Sequence, residues 1–335
     1  MAVRPQAVEN SQAVESPPED LEQYRRQLTG YCYRMLGSLF EADDAVQETM
    51  VRAWKGMDAF EGRSAVRSWL YRIATNVCLD MLRGRQRRAV SMDLGGPYTA
   101  DSFTGAKRPN EAWLEPVPDN RVLPDDGDPA ELAAARETIR LAFVTALQHL
   151  PARQRAVLIL REVLRWQATE VAELLDTSVA SVNSALQRAR ATLASRQIDA
   201  ATAPAAVVDA DHAALLERYV DAFERYDIPS LVALLHEDAV MSMPPFDFWL
   251  QGPVEMGKWF LGEGIVCRGS RLVATAANGC AAFGAYHPDG QGGHKPWSIQ
   301  VIEVSEGRIV GHHNFLDTSL FAAFGLPEHL PAAEA

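Results

Sequence analysis

Between Gln167 and Leu193 the chain sets polar and basic side chains at helical spacing. In QATEVAELLDTSVASVNSALQRARATL the apolar residues Val179, Val182, Leu186, Ala189 and Leu193 step by three and four. They share one face of a helix. The outward face then carries Ser181, Asn183, Ser184, Gln187, Arg188 and Arg190. Hydroxyl, amide and guanidinium groups are the ones that donate to phosphates and read base edges in a major groove. A shorter helix, Ala168–Leu175, precedes it. Small Ala172 sits where two helices must cross closely, and Val182 follows ten residues later. That is helix-turn-helix spacing. Asp176 occupies the turn, where a left-handed backbone is needed and Asp is among the few residues that tolerate it. A plain helical hairpin with a solvated face has the same spacing. The arginines near the helix end and the short turn favour DNA.

A second constellation lies upstream. Trp69, Arg72, Asn76 and Asp80 fall at helical steps, and Arg83, Arg85, Arg87 and Arg88 follow. Only Glu61 and Asp80 are acidic between positions 61 and 90. Aromatic and polar groups beside a basic surface can hold a base out of its stack. Asn76 is the stronger candidate, since a mid-helix Asn lowers helix propensity without local return. Trp69 also belongs to an apolar stripe, so core packing competes for it. The arginines can hold phosphates, a contribution that falls with salt. Further upstream, Asp43, Asp44, Gln47 and Glu48 flank an apolar stripe that includes Val51 and Trp54. They read as a protein-contact face or as a solvated acidic one.

The elements that must position these groups follow from periodicity. Residues 1–20 are polar and Pro-containing and read as a disordered tail. From Leu21, the apolar steps Tyr24, Leu28, Tyr31, Met35 and Leu39 mark a helix, with a break at Gly37-Ser38. Val66, Trp69-Leu70, Ile73-Ala74, Val77-Cys78 and Met81-Leu82 mark another, with Ser64 a plausible N-cap. Residues 21–90 thus form one helical unit. Residues 91–130 lose periodicity, hold six prolines and a Gly95-Gly96 pair, and turn acidic, from Asp93 to Asp128. They read as a long flexible tether with one apolar anchor, Trp113-Leu114-Glu115-Pro116. Helical pattern returns over 131–198, divided by Pro151, and a short linker spans 199–211.

Residues 212–327 change class. Two amphipathic helices, around Leu215–Phe223 and Leu231–Leu235, precede strand-like runs at Val240–Met243, Leu272–Ala276, Ala281–Tyr286, Ser298–Val304 and Arg308–Phe315. Glu306-Gly307 reads as a hairpin turn. Helices followed by a strand meander give an α+β domain, and 328–335 reads as a tail. Asp247, His287, His294, His312, His313 and Asp317 are its candidate chemical groups, without diagnostic spacing. His312 and His313 must point to opposite sheet faces. Phe246, Phe248, Trp249, Trp259 and Phe260 read as core or as a pocket wall. We assign no catalytic or metal-binding residue and no cofactor.

Composition bounds the rest. The 335 residues carry 47% hydrophobic content and a formal charge of −12, enough chain for two or three domains. The overall charge disfavours a free-standing nucleic-acid binder, so the basic block matters through its local sign. Cys32, Cys78, Cys267 and Cys280 form no C-x-x-C pair and read as buried free thiols. There is no run of about eighteen apolar residues and no apolar signal core, which leads us to expect a cytoplasmic protein without membrane partner.

With both helical units in view, the chain resembles the extracytoplasmic-function (ECF) class of sigma factors. DDAVQETMVRAW, residues 43–54, is similar to the stretch of their region two that docks on the polymerase clamp. RSWLYRIATNVCLDMLR, residues 67–83, is similar to the helix that melts and reads the −10 element. LQHLPARQRAVLILREV, residues 147–163, with the helix-turn-helix, resembles region four, which reads the −35 element. Asn183 stands where the family usually has a basic residue. The final domain resembles the SnoaL-like fold, a cone of curved sheet and helices that a subgroup of these factors carries. In that subgroup a WLEP-like stretch lies in or near the linker, as Trp113–Pro116 does here.

The resemblance implies two all-α sigma domains and a C-terminal α+β cone. It implies core RNA polymerase, through its beta-prime clamp and beta flap, and promoter DNA as partners. On it, Asp43, Asp44, Gln47 and Glu48 would face polymerase. Trp69, Arg72, Asn76, Asp80, Arg83, Arg85 and Arg87 would face the −10 element, and the recognition-helix residues the −35 element. Trp113, Leu114 and Pro116 would form a regulatory linker, with the extension modulating activity in place of a separate membrane anti-sigma factor. A small-molecule ligand in the cone is a further candidate partner. Two alternatives remain open at this point: a ligand-sensing helix-turn-helix regulator, or a SnoaL-like enzyme with a DNA-binding appendage.

Overall fold

The structure, a computed structural model, describes residues 19–57, 60, 65–195 and 210–332. Helix α1 (Arg25–Leu36) ends where Gly37 turns left-handed at φ 72° and returns its N–H to the Tyr33 carbonyl. Ser38 is extended and accepts a hydrogen bond from the Glu41 N–H, which starts α2 (Leu39–Gly56). The expected break at Gly37-Ser38 is thus a C-cap joined to an N-cap. A Cβ on Gly37 would also meet Leu114 at 2.9 Å, so the linker leans on this corner. Helix α3 (Val66–Met81) packs against both. Tyr31 Oη lies 2.8 Å from Thr75 Oγ1 in that core, and Tyr71 meets Tyr31 edge-on. Ser64, expected as the N-cap of α3, lies outside the described residues.

The second helical unit runs through α4 (Pro129–Glu137), α5 (Leu141–Gln148), α6 (Ala152–Leu158, continued by a π turn to Val163), α7 (Ala168–Leu174) and α8 (Val179–Ala194). Pro151 caps α6, as its place in the pattern requires. Asp176 has φ 48°, the left-handed turn expected between α7 and α8. Ala172 and Val182 are buried at their crossing.

The C-terminal unit opens with α9 (Ala210–Glu224) and α10 (Ile228–Ala233). Its strands are β1 (Leu235–Ser242), β2 (Trp249–Gln251), β3 (Arg271–Ala277), β4 (Cys280–Pro288), β5 (His294–Ser305) and β6 (Arg308–Phe315), with α11 (Pro253–Leu261) after β2. The sheet order is β2-β1-β6-β5-β4-β3, antiparallel except for the parallel β1–β6 pair. Glu306 and Gly307 make the β5–β6 turn at positive φ, as the sequence indicates. Strand β2 and helix α11 were not expected: three residues and nine are too short for periodicity to declare. Residues 328–332 are not a loose tail, because Leu330 exchanges backbone hydrogen bonds with His294.

Period two divides the sheet into two faces. Met241, Phe283, Ile302 and Ile309 join Tyr219, Phe223, Trp259 and Phe260 inside the cone. Ala282, Tyr286, Ile299 and Val301 belong to the core that continues into both helical units.

The linker corrects the sequence reading most. Residues 91–130 are not a free tether but a strap folded over both neighbours. Ala89 pairs with Trp113, Tyr98 N–H donates to the Trp249 carbonyl, and Arg108 N–H to the Pro245 carbonyl. Phe103 packs edge-on against Phe246, Phe248 and Trp259 at 5.0–5.1 Å between centroids. Prolines removed the periodic signal here without removing apolar anchors.

The cysteine expectation also needs adjustment. Cys32 and Cys78 are buried, whereas Cys267 and Cys280 are half-buried. Burial pushes the Cys267 thiol up to about 11.

Candidate functional site

Helix α8 shows the outward face that its spacing predicts. Ser181, Asn183, Ser184, Gln187, Arg188 and Arg190 are all exposed, while Val182, Leu186 and Ala189 are buried beneath them. Ser178 accepts from the Ser181 N–H and starts the helix. Arg190 is paired with Glu162. The face is therefore presented, with its arginines near the C-terminal end.

Helix α3 is placed differently. Asn76, Asp80, Arg83, Arg85 and Arg87 are exposed along it and beyond its end, but each arginine is held: Arg83 by Asp80, Arg85 by Glu41, Arg87 by Asp93. Arg88 is buried between Glu41 at 3.0 Å and Glu115 at 3.5 Å, and donates to the Trp113 carbonyl. Trp69 is half-buried against Phe60 at 4.8 Å and the edge of Gly56. Arg72 reaches across to the second helical unit and donates to the Glu173 carbonyl at 3.1 Å. Trp166 packs at a steep tilt against Tyr71, 5.2 Å between centroids, with the Arg67 guanidinium 5.6 Å from both rings. The helix read as a base-capturing surface thus lies against α7.

On α2, Asp44, Gln47 and Glu48 are exposed, and Glu48 is paired with Arg52. Asp43 is engaged by Arg121 of the strap at 2.6 Å. Trp54, read as part of an apolar stripe, is 38% exposed, because the helix turns Ala53 inward instead.

Trp113 and Leu114 are 3% and 1% exposed, and Pro116 is buried with them. Glu115 between them caps α2: its Oε2 accepts from Ser38 Oγ at 2.7 Å and from the Leu39 N–H at 3.0 Å. Burial raises the Glu115 carboxyl, and the Ser38 hydrogen bond and Arg88 oppose the rise.

All three units meet at Asn278, a residue the sequence reading passed over. Asn278 and Gly279 form the β3–β4 turn, with φ 54° and 71°. Asn278 Nδ2 donates to Tyr33 Oη of α1 at 2.7 Å and to the Ile139 carbonyl before α5 at 2.6 Å. Its Oδ1 accepts from the Val117 N–H of the strap at 3.0 Å. Tyr33 Oη in turn donates to the Glu115 carbonyl at 2.7 Å. Gly279 N–H donates to Asp119 Oδ1 at 2.8 Å, and a Cβ on Gly279 would meet the Arg136 carbonyl at 3.0 Å. Asn278 is fully buried, so its polar atoms are matched where an unmatched amide would be costly. Burial moves the Asp119 carboxyl up to about 6.

Two buried arginines join the helical units beside this turn. Arg34 donates to the Thr138 carbonyl at 3.0 Å and to its hydroxyl at 2.7 Å. Arg155 donates to the Met35 carbonyl at the end of α1 and to Gln148. Carbonyls at a helix C-terminus carry the partial negative charge that suits them. Burial lowers both guanidinium groups to about 10.

In the C-terminal unit the six candidate groups do not converge. His287 and His312 face the cone, while His313 faces the other side, next to Ser242 and Glu303. Asp247 is paired with Arg108, and Asp317 accepts from Asn110. His294 lies 3.0 Å from the Gly269 carbonyl. Among the described residues no group of three His, Cys, Asp or Glu side chains could hold a metal, and no helix is long and apolar enough to cross a membrane.

Comparison with known proteins agrees with the two helical units. Residues 21–88 match the family Sigma-70 region 2, and residues 140–193 match Sigma-70, region 4. The chain is 44% identical over 317 residues to the ECF RNA polymerase sigma factor SigG of Mycobacterium tuberculosis, covering 92% of this chain and 83% of that protein. It is 29% identical over 228 residues to SigJ of the same organism, covering 67% of this chain and 63% of that protein. The crystal structure of Mycobacterium tuberculosis SigJ superposes with a TM-score of 0.57 at 23% identity, over 92% of this chain and 99% of that one.

Proposed function

This chain belongs to the ECF sigma factors, and from that premise we propose that it directs core RNA polymerase to promoters from a closed arrangement held by its own C-terminal domain. Region 2 is α1 to α3, region 4 is α5 to α8, and the cone is the third unit. The observation that carries the reading is the turn at Asn278, whose one side chain binds α1, the strap and the start of region 4 together.

The proposed assignments follow the exposed and engaged faces. Ser181, Asn183, Ser184, Gln187, Arg188 and Arg190 face the −35 element. Trp69, Arg72, Asn76, Asp80, Arg83, Arg85 and Arg87 face the −10 element once α3 leaves α7. Asp43, Asp44, Gln47 and Glu48 meet the beta-prime clamp, and region 4 meets the beta flap. With Arg72 on the Glu173 carbonyl, the −10 helix is occupied by region 4, so the arrangement supports an inactive resting state. The site of action is the compartment of the polymerase, the cytoplasm.

The cone acts in this reading as a regulatory body rather than an enzyme. Burial lowers His312 to about 3 and His287 to about 4, so both rings are neutral and only weakly basic, far from the near-neutral pKa that suits a general base. Run-off transcription with core polymerase tests the whole proposal. The chain truncated after about residue 200 should bind core and transcribe at a level different from the full chain. Equal transcription by both proteins refutes the closed resting state.

A further inference from the structure

Strand β3 is the last in the sheet, and its outer edge is open over a short stretch. Successive backbone N–H groups of a strand point alternately to its two edges. Leu272 N–H donates away from β4 to Glu224 Oε1 of α9 at 2.9 Å, and Asn278 N–H donates to the Val117 carbonyl of the strap at 3.0 Å. Both bonds lie on the free edge. Ala274 and Ala276, at the even positions between them, therefore turn their N–H and carbonyl groups the same way. None of these groups has a partner among the described residues, and both alanines are exposed. Pairing with β4 is regular from Arg271 to Ala277, and the strand has no bulge, proline or lysine of the kind that blunts an edge.

The strap already uses the far end of this edge. Pro118 bridges antiparallel to Ala277, beside the Val117 bond, before the chain turns away into the short helix Asp119–Val122. Next to the open stretch runs a groove of about 530 Å³ between α9 and the β3–β4 hairpin, within the size range of ligand sites. Leu216 and Val220 of α9, with Ala274, Ala281 and Phe283 of the hairpin, supply its apolar lining. Its charged lining is acidic only. Glu217 is exposed and has no ion partner among the described residues, and Asp221 is held by Arg225 at 2.8 Å.

We propose that an extended peptide with alternating apolar side chains and a basic residue adds to the free edge of β3, continuing the pairing that the strap begins. Its main chain meets Ala274 and Ala276. Every second side chain lies on one face of the added strand and enters the groove, while a Lys or Arg on that face reaches Glu217. A compact apolar molecule fills the groove but leaves the edge groups of Ala274 and Ala276 to water. An acidic peptide meets Glu217 and Asp221 with like charge. Because β3 runs directly into the Asn278 turn, the occupant lies beside the three-unit junction.

The probe is the peptide KTVTVTK, blocked at both ends and labelled with a fluorophore, titrated against full-length protein at low salt and read by fluorescence anisotropy. Its Lys and Val side chains share one face, so either strand direction brings a Lys toward Glu217. ETVTVTE is the acidic counterpart. KTVTVTK should reach half-saturation below about 1 mM. ETVTVTE should bind at least about twofold more weakly, within the roughly fivefold that an exposed ion pair supports. Glu217→Lys should invert that order. Ala274→Pro removes an N–H from the free edge and none from the β3–β4 ladder, so it should fold and weaken KTVTVTK at least about tenfold. If Ala274→Pro does not fold, the exposed Glu217→Lys decides alone. No saturable uptake of KTVTVTK, unchanged affinity in folded Ala274→Pro, or an unaltered peptide preference in Glu217→Lys overturns the proposal. A dimer by light scattering, lost in Ala274→Pro and without peptide uptake, assigns the edge to a second copy and overturns it as well. None of these readings involves transcription, so their failure leaves the sigma assignment untouched.

Discussion

Asn278→Asp isolates the bonds at the three-way junction. Asp tolerates the left-handed backbone that Asn278 adopts at φ 54°, so the turn survives. What changes is Nδ2, which becomes an oxygen that cannot donate to the Ile139 carbonyl 2.6 Å away or to Tyr33 Oη 2.7 Å away. Tyr33 keeps its bond to the Glu115 carbonyl, and the Val117 N–H still has an acceptor. The loss is therefore two hydrogen bonds, one of which leaves the Ile139 carbonyl unmatched, at about 1–2 kcal/mol for each bond. The closed arrangement should weaken by about 2–4 kcal/mol, a shift of roughly 30- to 900-fold in its equilibrium with open forms. Small-angle scattering should show a larger radius of gyration, with helix content by circular dichroism unchanged. Run-off transcription at fixed polymerase should rise. A variant with wild-type radius and wild-type transcription would refute the role given to this side chain.

Other outcomes follow from the same geometry. Arg188→Ala should weaken −35-dependent transcription by about 1–3 kcal/mol with core binding retained; an unchanged run-off yield from a cognate promoter counts against the recognition face. Glu48→Lys reverses an exposed charge on α2 and should reduce pull-down of core polymerase without lowering the melting temperature; unchanged capture places the clamp contact elsewhere. Asp119, raised by burial from 3.8 to about 6, favours the native state most when protonated. That stability is fully present below about pH 4 and lost as pH rises through about 6. Asp119→Asn keeps an acceptor for the Gly279 N–H, so it should raise the melting temperature at pH 7.5 and flatten its change between pH 4 and 7; an undiminished slope would assign the titration to another group.

The helix-turn-helix was legible because a strict 3.6 period and one turn residue define it, and Asp176 took the left-handed conformation its position requires. The Gly37-Ser38 break and the Glu306-Gly307 turn were legible for similar local reasons. The strap was not. Its prolines erase periodicity, and its anchors find partners far away in sequence, as Trp249 does with Gly95 and Asn278 with Val117. Yet the Asn278 turn did leave a signal. Asn-Gly between two strand-like runs is the strongest short hairpin mark, and it lies between Leu272–Ala276 and Ala281–Tyr286. Its burial between three units is a matter of tertiary packing, which no local pattern carries. The same holds for α3, where the sequence supplied the basic face but not its position against α7.

If the proposed clamp face is right, the position of Asp43 ties polymerase docking to release of the closed state. Among the candidate clamp residues, Asp44, Gln47 and Glu48 are exposed, while Asp43 is held by Arg121 of the strap. A clamp that needs Asp43 must displace Arg121, and any loosening of the strap makes Asp43 easier to reach. By linkage the two effects are equal: polymerase favours the freed strap by the same factor that the freed strap favours polymerase. The pair itself is a partly exposed ion pair and contributes only about 0–1 kcal/mol. Core polymerase alone therefore shifts the balance by less than about tenfold through this contact. Opening of α3 from α7 needs further free energy, from promoter DNA or from weakening of the Asn278 junction. On the proposed reading the two contacts separate capture by polymerase, through the exposed face of α2, from promoter engagement, which the closed state would block.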